Sequence, residues 1–314
     1  MKLLVLVGPT AVGKTRYSLE IAETFQCEIL SGDSMQVYRG MDIGTAKATP
    51  EERKRIPHHM IDIVDPDEPF SVSEFQRMAR AKIAEIHERG KLPFLVGGTG
   101  LYVEAVCYDF SFGGTGENRA FREAMKQKAL AEGTAALHRQ LAEVDPESAK
   151  RIHPNDLRRI IRALEVYEQT GVPLSQTFRK GEKKSPYELC VIGLHMEREK
   201  LYRRIEERVD RMIEAGLVQE VERLLAQGVP EDAISMQGLG YKEIIPYLRG
   251  EQTLEEAVAI LKRNTRRFAK RQWSWFRRMP DIIWIDVGNE EHFSAHCERI
   301  NDIISARLNI RAQK

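Results

Sequence analysis

Three loops hold the residue types able to do chemistry. Gly8-Pro9-Thr10-Ala11-Val12-Gly13-Lys14-Thr15 has the spacing G-x-x-x-x-G-K-[ST], which turns backbone N–H groups and a helix dipole toward anionic oxygens. Lys14 adds a point charge on the phosphates, and the Thr15 hydroxyl is the expected contact of Mg²⁺. Asp33, in Gly32-Asp33-Ser34-Met35-Gln36, is either a functional carboxylate close to the phosphate loop or the aspartate of an Asx-type turn. Gly97-Gly98-Thr99-Gly100 presents a further hydroxyl, Thr99, to a ligand or as the cap of a following helix. The shared chemistry is the binding of phosphate oxygens beside a carboxylate and a hydroxyl.

For these groups to meet, each loop must leave the same edge of a parallel sheet. Lys2–Val7 is a short apolar run, as expected of a central strand covered on both faces. The phosphate loop follows it at once, and Arg16–Phe25 reads as a helix. Glu28–Ser31, Pro93–Val96, Leu189–Leu194 and Asp281–Val287 are the other strand candidates, and the segment after Glu291 reads as a short helix. Ligands of open α/β sheets bind at the carboxyl ends of strands, where Asp33 and Thr99 would lie. Ser71 and Glu74 form a capping box at the start of a helix running to about Arg89. The predicted class is α/β: a P-loop parallel-sheet core flanked by helices.

Composition narrows the partners. The 314 residues carry 48 Lys and Arg against 47 Asp and Glu, a net charge of +1, so a nucleic-acid surface must come from local patterning. Cys27, Cys107, Cys190 and Cys297 are widely spaced, which argues against a zinc site or disulfide framework and fits a cytoplasmic protein. His58 and His59 lack further ligands at metal spacing and read as structural, in an irregular stretch from Ile56 to Phe70. No stretch approaches a membrane span.

From Phe112 to Pro186 the pattern is helical, with no strand candidate and with linkers at Gly113–Gly116 and Gly181–Pro186. An all-helical domain is therefore expected at 112–186, inserted between core segments 1–111 and 187–314. In the helix predicted at Arg198–Ala215, Arg208 falls beside the apolar stripe of Ile205, Val209, Met212 and Ile213. There it would meet a carboxylate or an anion. Arg203, Arg204 and Arg211 are expected to point further away. A helix over 254–279 gathers Arg263, Arg266, Arg267, Lys270, Arg271, Arg277 and Arg278 on one face, with no acidic residue between Lys262 and Arg278. A stripe of one sign favours a polyanion over a merely solvated face, with Arg266 and Lys270 central to it.

Read together, GPTAVGKT, SGDSMQVYRGMDIGTAK, VGGTGLY, HPNDLRRIIRALE from His153 and QGLGYKE from Gln237 resemble the bacterial tRNA dimethylallyltransferases. The resemblance runs from Gly8 to about Arg278, and GDSMQVYRGMDIGTAK is its most specific part. It implies transfer of a dimethylallyl group from dimethylallyl diphosphate to N6 of the adenosine 3′ of the anticodon. It further implies that residues 8–15 cradle the diphosphate and that Asp33 is the general base. Thr99 and Arg208 would hold the leaving group, with Lys14 beside them. Asp33, Ser34, Met35, Gln36, Arg122, Arg158, Arg159, Ile160, Ile161 and Arg162 would contact tRNA, the inserted helices clasping the anticodon stem-loop. A monomer acting away from membranes is expected.

Other classes share parts of this pattern. An ATP-dependent small-molecule kinase has the same loop and sheet but no use for a long basic helix. A GTPase should show N-K-x-D, which is absent. A transferase acting on free AMP would not need the helical insertion.

Overall fold

A computed structural model describes residues 1–108, 116, 118–177 and 184–312. The chain divides into two compact units, Met1–Tyr108 with Ser185–Lys314, and Asp109–Lys184 between them in sequence. The linker readings at 113–116 and 181–186, and the expected boundary at 111/112, fall largely outside the described residues.

The larger unit begins with β1 (Lys2–Val7), α1 (Lys14–Phe25), β2 (Cys27–Ser31), α2 (Pro50–Arg55), β3 (His58–His59), α3 (Val72–Glu88), β4 (Leu92–Gly97) and α4 (Gly100–Cys107). The smaller unit holds α5 (Arg119–Glu132), α6 (Thr134–Val144), α7 (Pro146–Arg151), α8 (Leu157–Thr170) and α9 (Leu174–Thr177). The chain then returns with β5 (Glu188–His195), α10 (Arg198–Glu214), α11 (Leu217–Ala226), α12 (Tyr241–Leu248), α13 (Leu254–Phe276), β6 (Ile282–Asp286) and α14 (Phe293–Leu308).

The six strands form one parallel sheet in the order β3-β2-β4-β1-β5-β6. β1 is central, with Val5 beside Leu95 of β4 and Val191 of β5. Alternate side chains of a strand point to opposite faces. Accordingly Leu3, Val5 and Val7 join the cluster containing Phe75, Ile83 and Val103, while Leu4 and Leu6 join Ile21, Ile300 and Ile304. Two covered faces explain the uninterrupted apolar run of β1.

Two features differ from the sequence reading. The stretch after Ile56 contributes a two-residue edge strand, with Ile29 opposite His58 and Leu30 opposite His59. His59 Nε2 bonds Glu28 at 2.7 Å, a structural role for this histidine. The final helix is also longer than expected, at 16 residues, because Ile300, Ile304 and Leu308 give it a stripe to bury.

In the smaller unit Leu137, Leu141, Ile160 and Leu164 form a separate core. Fully buried Glu165 accepts from Asn118 N, from both prongs of Arg122 and from Arg162. Burial pushes this carboxyl up, but the bonds from Arg122 and Arg162 outweigh it and hold Glu165 below the usual range. Asp145 joins α7 to α9 by accepting from Ser148 N and Ser175 N, each at 2.9 Å.

Candidate active site

All strands run the same way, so the loops after β1, β2 and β4 reach one edge of the sheet. There they line a cavity of about 840 Å³, closed by residues of α10 and α13. Gly13 opens α1 in a left-handed conformation, φ +107°, which side chains with a β-carbon avoid. The turn brings Lys14 and Thr15 to the first positions of the helix and into the cavity wall.

Lys14 Nζ donates to the carbonyls of Gly8 and Pro9, both at 2.9 Å. Burial lowers its pKa to about 7, helped by the Arg208 charge and opposed by Asp33. Arg208 lines the same cavity and is also pulled down, first by burial and then by Arg211 and Arg204, against the pull of Asp33. An anion entering here would relieve the repulsion among these cations.

Asp33 forms the Asx turn and also stands at the cavity. Oδ1 accepts from Met35 N at 2.8 Å, the Asx turn, while the residue lines the cavity and Oδ2 accepts no hydrogen bond among the described residues. Thr99 occupies the N-cap position of α4 without capping it through its side chain. Its Oγ1 instead accepts from Ser34 N at 3.0 Å and lies 3.3 Å from Ser34 Oγ. Thr99 therefore faces the cavity and fixes the loop that carries Asp33.

Thr15 offers a hard oxygen donor at the cavity wall beside the anion loop, and no group of three or more His, Cys, Asp or Glu suited to a metal occurs among the described residues. That donor set fits Mg²⁺, which takes few protein ligands and completes its shell with water and phosphate oxygens.

The IPP transferase family pattern matches residues 36–279, and an isopentenyl transferase pattern matches residues 1–62. A tRNA dimethylallyltransferase of Geobacillus kaustophilus is 50% identical over 99% of this chain and 98% of its own length. Another, from Carboxydothermus hydrogenoformans, is 54% identical over 92% of this chain and 93% of its own. The chain belongs to the tRNA dimethylallyltransferase family. Among solved structures, the tRNA isopentenylpyrophosphate transferase of Bacillus halodurans is 48% identical, with TM-score 0.72 over 98% of each chain. A eukaryotic dimethylallyltransferase acting on tRNA is 29% identical, with TM-score 0.85 over 100% of this chain and 81% of that one.

Against the dimethylallyltransferase pattern, several expected positions are re-sorted. Thr10, Ala11, Gly13–Thr15, Asp33–Gln36, Thr99 and Arg208 line one cavity of the larger unit, whereas Gly8, Pro9 and Val12 are buried and are not among its lining residues. Arg204 and Arg211, expected to point away, line the cavity with Arg208, because i, i+4 and i+7 share one flank of α10. Arg266 is half-buried and bonds Glu206 of α10 at 2.6 Å, so it is not a free outward cation. Arg263, Arg267 and Lys270 are exposed and have no ion pair among the described residues. In the smaller unit Ile160 and Ile161 turn into the core and offer RNA no side chain. Arg122 and Arg162 are tied to Glu165, Arg159 pairs with Asp156 at 3.4 Å, and Arg158 is exposed.

The sequence reading missed the residues that hold the family's loops in place. Buried Gln272 accepts from Thr10 N at 2.8 Å and donates to Gly98 O at 2.9 Å, clamping the phosphate loop to the turn after β4. A signal existed: Gln272 is a long polar side chain in the otherwise small or apolar buried stripe Leu261, Thr265, Ala269 and Phe276. Buried Glu220 accepts from the backbone N–H groups of Asp42, Ile43 and Gly44 and from Tyr241 Oη at 2.7 Å. A β-carbon on Gly44 would lie 2.6 Å from the Tyr241 ring, so only glycine fits there. Lys47, also buried, donates to Tyr38 O and to Asp42 and Asp62. Gln36 Nε2 in turn donates to Thr45 O at 3.1 Å, linking this scaffold to the cavity.

Proposed function

We propose that the chain transfers the dimethylallyl group of dimethylallyl diphosphate to N6 of the adenosine 3′ of the anticodon in tRNA, releasing diphosphate. The observation carrying this reading is one cavity that joins a phosphate loop, Lys14 and Arg208 to the available oxygen of Asp33. The same cavity has an apolar wall, including Met35, Met212, Leu261 and Phe268, suited to a prenyl chain. The kinase alternative finds no support among these relatives.

The chemistry follows from the two reactants. The adenine N6 lone pair is delocalised into the ring, so the amine is a weak nucleophile. The allylic C–O bond lengthens easily because the developing cation is delocalised. Its electron pair leaves on the diphosphate oxygen as N6 bonds to carbon, and the N6 proton passes to Asp33. Most of the catalytic effect then lies in stabilising the departing charge through Lys14, Arg208 and the N–H groups of the loop. Thr15 would hold Mg²⁺ through its hydroxyl, and the bound ion would add positive charge at those oxygens. The adenosine must leave the anticodon stack to enter the cavity.

In this reading the helical unit takes the anticodon stem-loop and the chain works as a cytoplasmic monomer. tRNA incubated with the protein, Mg²⁺ and dimethylallyl diphosphate should gain one dimethylallyl group by mass spectrometry. Diphosphate release should require tRNA, and ATP should not be consumed. ADP formation with any acceptor would return the cavity to a kinase.

Replacing residues 109–184 with a short Gly/Ser linker should leave a core that binds dimethylallyl diphosphate but has lost most of its affinity for tRNA. Retained tRNA affinity would remove the clasping role. Separately, changing Arg263, Arg267 and Lys270 to Gln should weaken tRNA binding and flatten its salt dependence, by about one in slope per lost phosphate contact. An unchanged slope would make α13 a solvated face.

A further inference from the structure

Among the guanidiniums lining the phosphate cavity, that of Arg204 takes a partner from the C-terminal part of the chain. Arg204 stands one turn before Arg208 on α10, and both line the cavity. Its Nη2 lies 3.7 Å from the point a β-carbon on Gly13 would occupy, over the turn that opens α1. Its other prong, Nη1, donates to Glu290 Oε1 at 2.7 Å. Glu290 belongs to a short turn, Glu290–His292, between β6 and α14. The second oxygen of Glu290 is 3.9 Å from Arg16, whose guanidinium lies 3.8 Å over the Phe293 ring.

Stability does not account for this pair. The Arg204 and Glu290 side chains are 33% and 62% exposed, and an exposed ion pair contributes little to folding. Arg204 also acts electrically on the site, since its charge is among those that lower Arg208. A guanidinium is a planar fork that can bond one oxyanion on each prong, with its orientation set by the first.

We propose that Arg204 is a second arginine of the diphosphate site, and that Glu290 is its positioning residue. Glu290 holds Nη1 so that Nη2 faces a phosphate seated over Gly13. Charge accumulates on the diphosphate as the C–O bond breaks, so this contact strengthens toward the transition state. Arg16 offsets the negative charge of Glu290, which otherwise would repel the ligand. The inference rests on the diphosphate reading of the cavity.

The test measures Mg²⁺-dependent binding of inorganic diphosphate by calorimetry, with kcat and KM for dimethylallyl diphosphate at saturating tRNA. Arg204→Ala should raise the diphosphate Kd about tenfold, and lower kcat/KM by more than that factor. Arg204→Lys, which keeps charge but not the fork, should fall between. Glu290→Gln should raise Kd about threefold in the wild-type background and leave it unchanged in Arg204→Ala, the coupling expected of a residue acting through another. Wild-type Kd and kcat in Arg204→Ala would overturn the assignment. Tighter diphosphate binding in Glu290→Gln would overturn it too, by making Glu290 a competitor of phosphate. Failure of the wild type to bind diphosphate would remove the reading of the cavity itself, whereas wild-type binding with indifferent Arg204 variants removes only this inference.

Discussion

Asp33→Asn is expected to lower turnover by about two powers of ten or more, with tRNA affinity near wild type. The substitution is close to isosteric, and the Asn side-chain oxygen can still accept from Met35 N, the bond that forms the turn. What is lost is a proton acceptor on the second position of the carboxylate. One side effect has a known direction. The Asp33 charge supports protonation of Lys14, whose pKa burial and Arg208 have already lowered to about 7. Removing that charge lowers Lys14 further, so Asp33→Asn should bind diphosphate normally only at a lower pH than the wild type. Single-turnover rates at pH 6 with both substrates saturating separate the two effects. A near-wild-type rate there would leave Asp33 as a turn residue alone.

The parts of this site legible in sequence are those whose physics is local. Gly13 must adopt positive φ, Lys14 and Thr15 must follow it, and β1 must be apolar on both faces; all three requirements lie within 15 consecutive residues. The capping box of Ser71 and Glu74 is local in the same sense and forms in the structure. The clamps were not legible because their partners are remote and are backbone groups. Gln272 and Thr10 are 262 positions apart, and Glu220 and Asp42 are 178 apart. A backbone N–H carries no residue type, so the partner of neither clamp can be read from the chain, although the long polar Gln272 in a buried stripe marked one side of the first. Gly44 is similar: nothing in the sequence pairs it with the Tyr241 ring that excludes a β-carbon. Helical periodicity placed Arg208 correctly but misjudged Arg204 and Arg211, because it gives angles around α10 and not what faces each angle.

Lys14→Ala should reduce kcat/KM for dimethylallyl diphosphate by about a thousandfold, divided between binding and turnover because the lysine meets the leaving group in both states. The distinctive result is the pH profile. Lys14 titrates near 7 in the folded protein against an ordinary value of 10.5. Below about pH 7 it is charged and ready for the anion. Above pH 7 a proton must be taken up on binding, so diphosphate affinity should fall about tenfold per pH unit until the raised pKa of the bound state is reached. The ligand's own titration is common to both proteins and cancels when wild type is compared with Lys14→Ala. The variant's affinity should therefore lie far below wild type at pH 6, and the gap should narrow steadily toward pH 9. Stability has the opposite sign. Between pH 7 and 10.5 the unfolded chain binds the extra proton, so the ligand-free protein gains stability from Lys14 as pH rises, and Lys14→Ala removes that gain. Melting temperatures and diphosphate calorimetry over the same pH range test both limbs. Parallel profiles for the two proteins would mean that Lys14 keeps its proton throughout, and that the cavity is more open to water than its packing indicates.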